Sequence, residues 1–118
     1  MCIRDRLYSK AHLLLHTKYA DPSPGLVLEA LALGLPVVHL GNGGVPELVG
    51  DAGIGVPLEH DWDQINLPDP HDMAKAVMQV YSRCEEFAQK ARQRAMENFS
   101  LEEFTARHAE IFKKVLDS

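Results

Sequence analysis

Aromatic side chains are scarce in this sequence, at 7% of residues, and positive charge is outweighed. Twelve Lys and Arg stand against 17 Asp and Glu, a formal net charge of −5. Such a chain advertises neither a stacking platform for single-stranded nucleic acid nor a basic footprint for a polyanion, so no nucleic-acid partner is expected. Long hydrophobic runs are missing too. No apolar stretch approaches the length of a membrane span, and the opening residues lack the apolar core of a secretory signal. Cysteine is limited to Cys2 and Cys84, too few for a disulfide framework; free thiols in a reducing cytoplasm are the expectation. What remains is ordinary globular composition, 46% hydrophobic and 25% charged, over 118 residues. That is enough for one domain and not for two. An anionic ligand is still compatible with this charge if local backbone dipoles hold it.

The opening Met1-Cys-Ile-Arg-Asp-Arg6 resembles translated sequencing-adapter sequence. Residues 1–6 are therefore expected to be a non-native leader, with the biological chain beginning near Leu7 and cut mid-gene.

From Ala11 the hydrophobic pattern alternates. Ala11–Thr17 is an apolar run suited to a buried parallel strand. A loop punctuated by Pro22, Pro24 and Gly25 follows, then a helix over Gly25–Leu33. Pro24 suits the helix start, Gly34 is a natural C-terminal stop, and Pro36 blocks continuation. Pro36–Leu40 reads as a second buried strand, Val45–Val49 as a short helix closed by Gly50, and Ala52–Pro57 as a third strand. Alternation of this kind predicts an α/β fold, a parallel sheet covered by helices. Leu58–Pro70 is polar and acidic, a loop. Beyond it the spacing predicts a helix starting near Asp69 or His71, a second over Glu85–Glu97, and a third from Ser100. There Ser-Leu-Glu-Glu103 has capping-box form, and Phe104, Ile111, Phe112, Val115 and Leu116 make a one-sided stripe. Three short strands are few for a doubly wound sheet, so the domain is expected to be incomplete or to pair with a partner.

The informative stretch runs from Asp21 to Val38. It delivers the chain from the carboxyl end of a strand into a helix, where open α/β sheets bind ligands. The first N–H groups of that helix, at Gly25, Leu26 and Val27, suit a phosphate or diphosphate. Asp21 precedes this site and Glu29 lies about one turn into the helix. Both carboxylates would repel phosphate, so they fit neutral hydroxyls, which a nucleotide sugar offers at both ends. Asp21 and Glu29 are expected to open on one cleft, with Leu28 and Leu31 turned to the sheet.

Asp21-x7-Glu29-Ala-Leu-Ala-Leu-Gly-Leu-Pro-Val-Val38, followed by Gly43-Gly-Val-Pro-Glu47, resembles the C-terminal domain of retaining GT-B glycosyltransferases of family 4 (glycosyl transferases group 1). The resemblance runs from about Ala11 to the C-terminus. It implies a partial Rossmann-like domain over residues 7–118, and transfer of a hexose from a nucleotide diphosphate sugar with retention, without cofactor or metal. By it, Asp21 is the catalytic-site carboxylate at the sugar hydroxyls. Ser23, Gly25, Leu26 and Val27 hold sugar and diphosphate, and Glu29 holds the ribose. It further implies an acceptor, an N-terminal acceptor domain and a basic diphosphate clamp upstream of this chain, and room for peripheral membrane association of the full-length enzyme. Two departures stand out. Asp21 replaces the more frequent Glu, and Pro22 and Pro24 remove two amides.

Blander readings stand beside these. Asp21 alone is a turn residue before Pro; in its frame it is a site residue. Gly41, Gly43 and Gly44 are turn glycines or mark close backbone approach to donor or acceptor. Glu47 suits a first helical turn, ahead of ligand contact. His16 is read as structural before acid/base, and His39 as core or rim. Asp61-Trp-Asp63 reads as a solvated loop and not a metal site, and His60 and His71 fit no ligand spacing. Lys90, Arg92 and Arg94 read as a solvated helix face. The rival functions are a sugar-nucleotide epimerase and a non-catalytic α/β binding module.

Overall fold

A computed structural model describes residues 3–118; Met1 and Cys2, and with them the start of the expected leader, lie outside the described residues. In chain order the elements are α1 (Ile3–Tyr8), β1 (Leu14–His16), α2 (Gly25–Ala32), β2 (Val37–Leu40), α3 (Val45–Val49), β3 (Gly53–Val56), α4 (Pro70–Ser82), α5 (Cys84–Asn98) and α6 (Leu101–Leu116). The strands form one parallel sheet in the order β1-β2-β3. Leu14, Val37 and Gly53 share one level of the register; His16, His39 and Gly55 share the level two residues on.

Alternation along the strands divides the core. Val37 packs with Val27, Ala30 and Leu31 of α2, Val45 and Val49 of α3, and Ala91 and Ala95 of α5. Val38 and Val56 pack on the other side with Ala76 and Val80 of α4 and Phe87 of α5. Every residue of β2 is buried, as a central parallel strand requires. A fully buried side chain such as Leu31 contributes about 1.5–3 kcal/mol by leaving water.

Local rules set the helix ends. Gly34 takes φ +76, and Leu35 N–H and Gly34 N–H bond the carbonyls of Ala30 and Leu31, a Schellman stop. Asp69 caps α4 by accepting from the His71 amide at 2.7 Å. Ser100 caps α6 by accepting from the Glu103 amide at 3.2 Å, while the Glu103 carboxylate turns to Arg107 at 3.3 Å, so the box is half-made.

Two findings differ from the sequence reading, at residues 3–8 and along α5. Residues 3–8 form a helix that was not assigned, and Tyr8 joins the core beside α2. Arg94 is no solvated side chain: its guanidinium lies against Gly50 and donates to the carbonyls of Glu47 and Leu48, closing the C-terminal end of α3. Lys90 pairs with Glu86 at 2.9 Å. The apolar stripe of α6 does not meet the sheet, and Phe104, Ile111, Phe112, Val115 and Leu116 are exposed. Among the described residues no helix is long and apolar enough to cross a membrane.

Candidate functional site

The three strands end at His16, Leu40 and Val56, so the loops after them gather at the carboxyl edge of the sheet. The last residue of the first loop, Pro24, is extended (φ −74, ψ 118) and leads into α2 without a side-chain cap. The N–H groups of Gly25 and Leu26 open α2 without an intrahelical partner, whereas the Val27 N–H, expected at the phosphate site, donates to the Pro24 carbonyl at 3.1 Å. In front of Gly25 there is open space, since a Cβ added there would meet nothing within 4 Å. Ser23, Gly25 and Leu26 are exposed, and Val27 is buried beneath them.

Asp21 is only 6% exposed. Its Oδ2 lies 3.4 Å from His16 Nε2 and 3.3 Å from Nζ of the exposed Lys18. Glu29 is half-exposed and pairs with Arg4 of α1 at 3.2 Å. The two carboxylates face different cations in this structure. Burial of Val27, Ala30 and Leu31 explains this: those three fix the rotation of α2, and Glu29, two residues from Val27 and from Leu31, is turned from the sheet. Leu28 is half-buried, not a core residue.

The second loop grips the first. Gly44 N–H donates to the Asp21 carbonyl at 2.9 Å. A Cβ on Gly43 (φ +70) would come within 2.6 Å of that carbonyl oxygen, and one on Gly44 within 1.8 Å of the Pro22 oxygen. The close backbone approach read from these glycines is an approach to the chain's own Asp21 loop. Asn42, which sequence reasoning missed, is buried and accepts from the Ala20 amide at 3.1 Å. Ala20 has φ +48, a conformation that Asn42 thereby holds. The only sequence signal was a polar amide inside Gly41-Asn-Gly-Gly44.

His16 and His39 are buried neighbours across β1 and β2. Burial pushes the His39 imidazole below its ordinary pKa, helped by nearby His16, while its contact with the Leu40 carbonyl at 2.8 Å acts the other way. Gly55 makes room for it: a Cβ there would lie 2.8 Å from His39 Cε1. His16 Nδ1 and Asn42 Nδ2 are buried without a described partner. Glu47 is exposed on the first turn of α3.

Two clefts open on this edge. One, of about 600 Å³, is lined by Gly41, Pro57, Leu58, Glu59, Asn66 and Leu67. The other, of about 310 Å³, lies between Tyr19, Ala20 and the loop around His60–Ile65. Asp61 is spent on its own turn, accepting from the amides of Asp63 at 2.7 Å and Gln64 at 3.3 Å, which holds its carboxyl below the usual range. Among the described residues no group of three His, Cys, Asp or Glu could hold a metal.

An open parallel sheet with helices on both faces defines a partial Rossmann-like α/β domain. The model of one family, Glycosyl transferases group 1, matches residues 4–83, and the chain belongs to that family. The matched segment holds the whole sheet and the Asp21 loop and stops before α5 and α6. No curated protein and no solved structure matches the chain.

Proposed function

We propose that this chain supplies the donor-binding part of a glycosyltransferase that moves a hexose from a nucleotide diphosphate sugar with retention at the anomeric carbon. One observation carries the reading. In a chain of the glycosyl transferases group 1, the uncapped start of α2, where a Cβ on Gly25 would meet nothing within 4 Å, follows Asp21 by a few residues. The diphosphate would lie on the N–H groups at Gly25 and Leu26, with Ser23 beside them. There the helix dipole meets the charge that develops as the sugar leaves. The acceptor hydroxyl oxygen bonds the anomeric carbon, that carbon's bond to the diphosphate breaks, and the acceptor proton passes to the departing oxygen. A sugar hydroxyl would replace Lys18 at the Asp21 carboxylate, and a ribose hydroxyl would replace Arg4 at Glu29. Neither step calls for a metal or a cofactor.

On this reading residues 7–118 are the C-terminal part of the enzyme. An acceptor domain and a basic clamp for the diphosphate come from upstream sequence, so the chain alone binds donor and does not turn it over. Calorimetry of the chain with nucleoside diphosphate sugars tests the reading. Binding that falls on Asp21→Ala supports it. No binding by a folded chain, or turnover by the chain alone, contradicts it.

A further inference from the structure

Aromatic residues are few, yet three rings with unlike neighbours meet at one place on the carboxyl edge. Trp62, the sequence's only tryptophan, is 90% exposed. The His60 ring lies 4.5 Å from it, centroid to centroid, and the Tyr19 ring 5.6 Å from His60. This is no loose loop tip. The Asp61 amide donates to the Tyr19 hydroxyl at 2.8 Å, and that hydroxyl donates to the Glu59 carbonyl at 3.2 Å. Asn66 Nδ2 donates to the same carbonyl at 3.0 Å. The rings border the cleft of about 310 Å³, at the small end of the range for small-molecule sites (about 300–1,000 Å³). Tyr19 and Ala20, which line this cleft, immediately precede Asp21 in the chain.

We propose that the Tyr19–His60–Trp62 wall is a subsite for a neutral sugar ring. Its chemistry selects that class. An aromatic face is electron-rich and attracts the weakly positive C–H face of a pyranose, while burial of both faces removes apolar area from water. Asp63 and Gln64 at the rim can accept from and donate to ring hydroxyls. A phosphate or diphosphate is disfavoured here, because Glu59, Asp61 and Asp63 surround the wall with negative charge. The subsite stands apart from the proposed transferase reading.

The single tryptophan is its own probe. Trp62 fluorescence in the full chain is titrated with methyl glycosides and short oligosaccharides, and in parallel with a nucleoside diphosphate and with a quaternary amine. The expected result is a saturable change with a glycoside, unaffected by the nucleoside diphosphate. Because Trp62→Ala removes the probe, its affinity is read from amide shifts at Tyr19 and Gln64. The expected loss is about tenfold, with partial recovery in Trp62→Phe. Trp62 is almost fully exposed, so neither variant should disturb folding. No saturable response to any glycoside overturns the proposal. So does a response to the amine or the nucleotide alone. Calorimetric donor binding at Asp21 is a separate readout: if it persists while Trp62 stays silent, only the subsite fails.

Discussion

The side-chain carbonyl of Asn42 holds the backbone of Ala20 at φ +48 through a 3.1 Å hydrogen bond, and so sets how the chain enters the Asp21 loop. A left-handed alanine costs about 1–2 kcal/mol relative to an ordinary conformation. Loss of a partner for a buried amide costs about 1–3 kcal/mol. Asn42→Ala is therefore expected to destabilise the chain by about that much and to weaken donor binding. Ala20→Gly, for which the left-handed region is free of Cβ strain, should recover part of both losses in the double variant. Strictly additive effects in a double-mutant cycle by urea denaturation would show that Asn42 acts elsewhere.

Gly44 and Gly25 should respond oppositely to alanine. At Gly44 the new Cβ would sit 1.8 Å from a backbone oxygen of Pro22 and drive the two loops apart, whereas at Gly25 it would enter open space. Thermal unfolding should show a marked drop in Tm for Gly44→Ala and a shift of no more than about 1 kcal/mol in stability for Gly25→Ala. Equal tolerance at both positions would mean that the loops are not packed as described.

Glu29 is half-exposed and pairs with Arg4, and such an exposed pair is worth about 0–1 kcal/mol. Glu29→Gln should weaken nucleotide-sugar binding, and Glu47→Gln should do less. Arg4→Ala, which releases the Glu29 carboxylate, should leave affinity unchanged or higher. A fall in affinity with Arg4→Ala matching that of Glu29→Gln would assign the effect to the ion pair and remove Glu29 from the ribose.

His39 titrates below its unfolded value because the folded chain buries it. Between the two pKa values the unfolded state binds more protons, so stability rises with pH there and levels off above about 6.5. Acidification from neutrality should lower Tm through this window, and His39→Gln should flatten that slope. An identical slope in the variant would place the pH dependence on other groups.

How much could be read in advance depended on the distance a rule must reach. α2, the Gly34 stop, β2, α3 and the caps Asp69 and Ser100 were legible, because each follows from residues within a turn or two of one another. The parallel sheet was legible from the alternation. What escaped the sequence lies between segments. Asn42 reaches back to Ala20, Arg94 to the end of α3, and Arg4 to Glu29, and no local pattern encodes those meetings. The apolar face of α6 was legible as a stripe, but a stripe does not say what it packs on, and here it lies exposed. The Asp61-Trp62-Asp63 loop was read by its carboxylates, whereas the ring of Trp62 and its neighbours carry the more specific geometry.

Titration of the isotope-labelled chain with a nucleoside diphosphate, followed by amide shifts residue by residue, tests whether the start of α2 receives the diphosphate of a nucleotide sugar. Saturable shifts are expected at Ser23, Gly25, Leu26 and Val27, extending to Asp21 and to the Gly43–Gly44 loop that packs on it. Saturable shifts confined to α5 and α6, or none at the start of α2 in a folded chain, would contradict that placement.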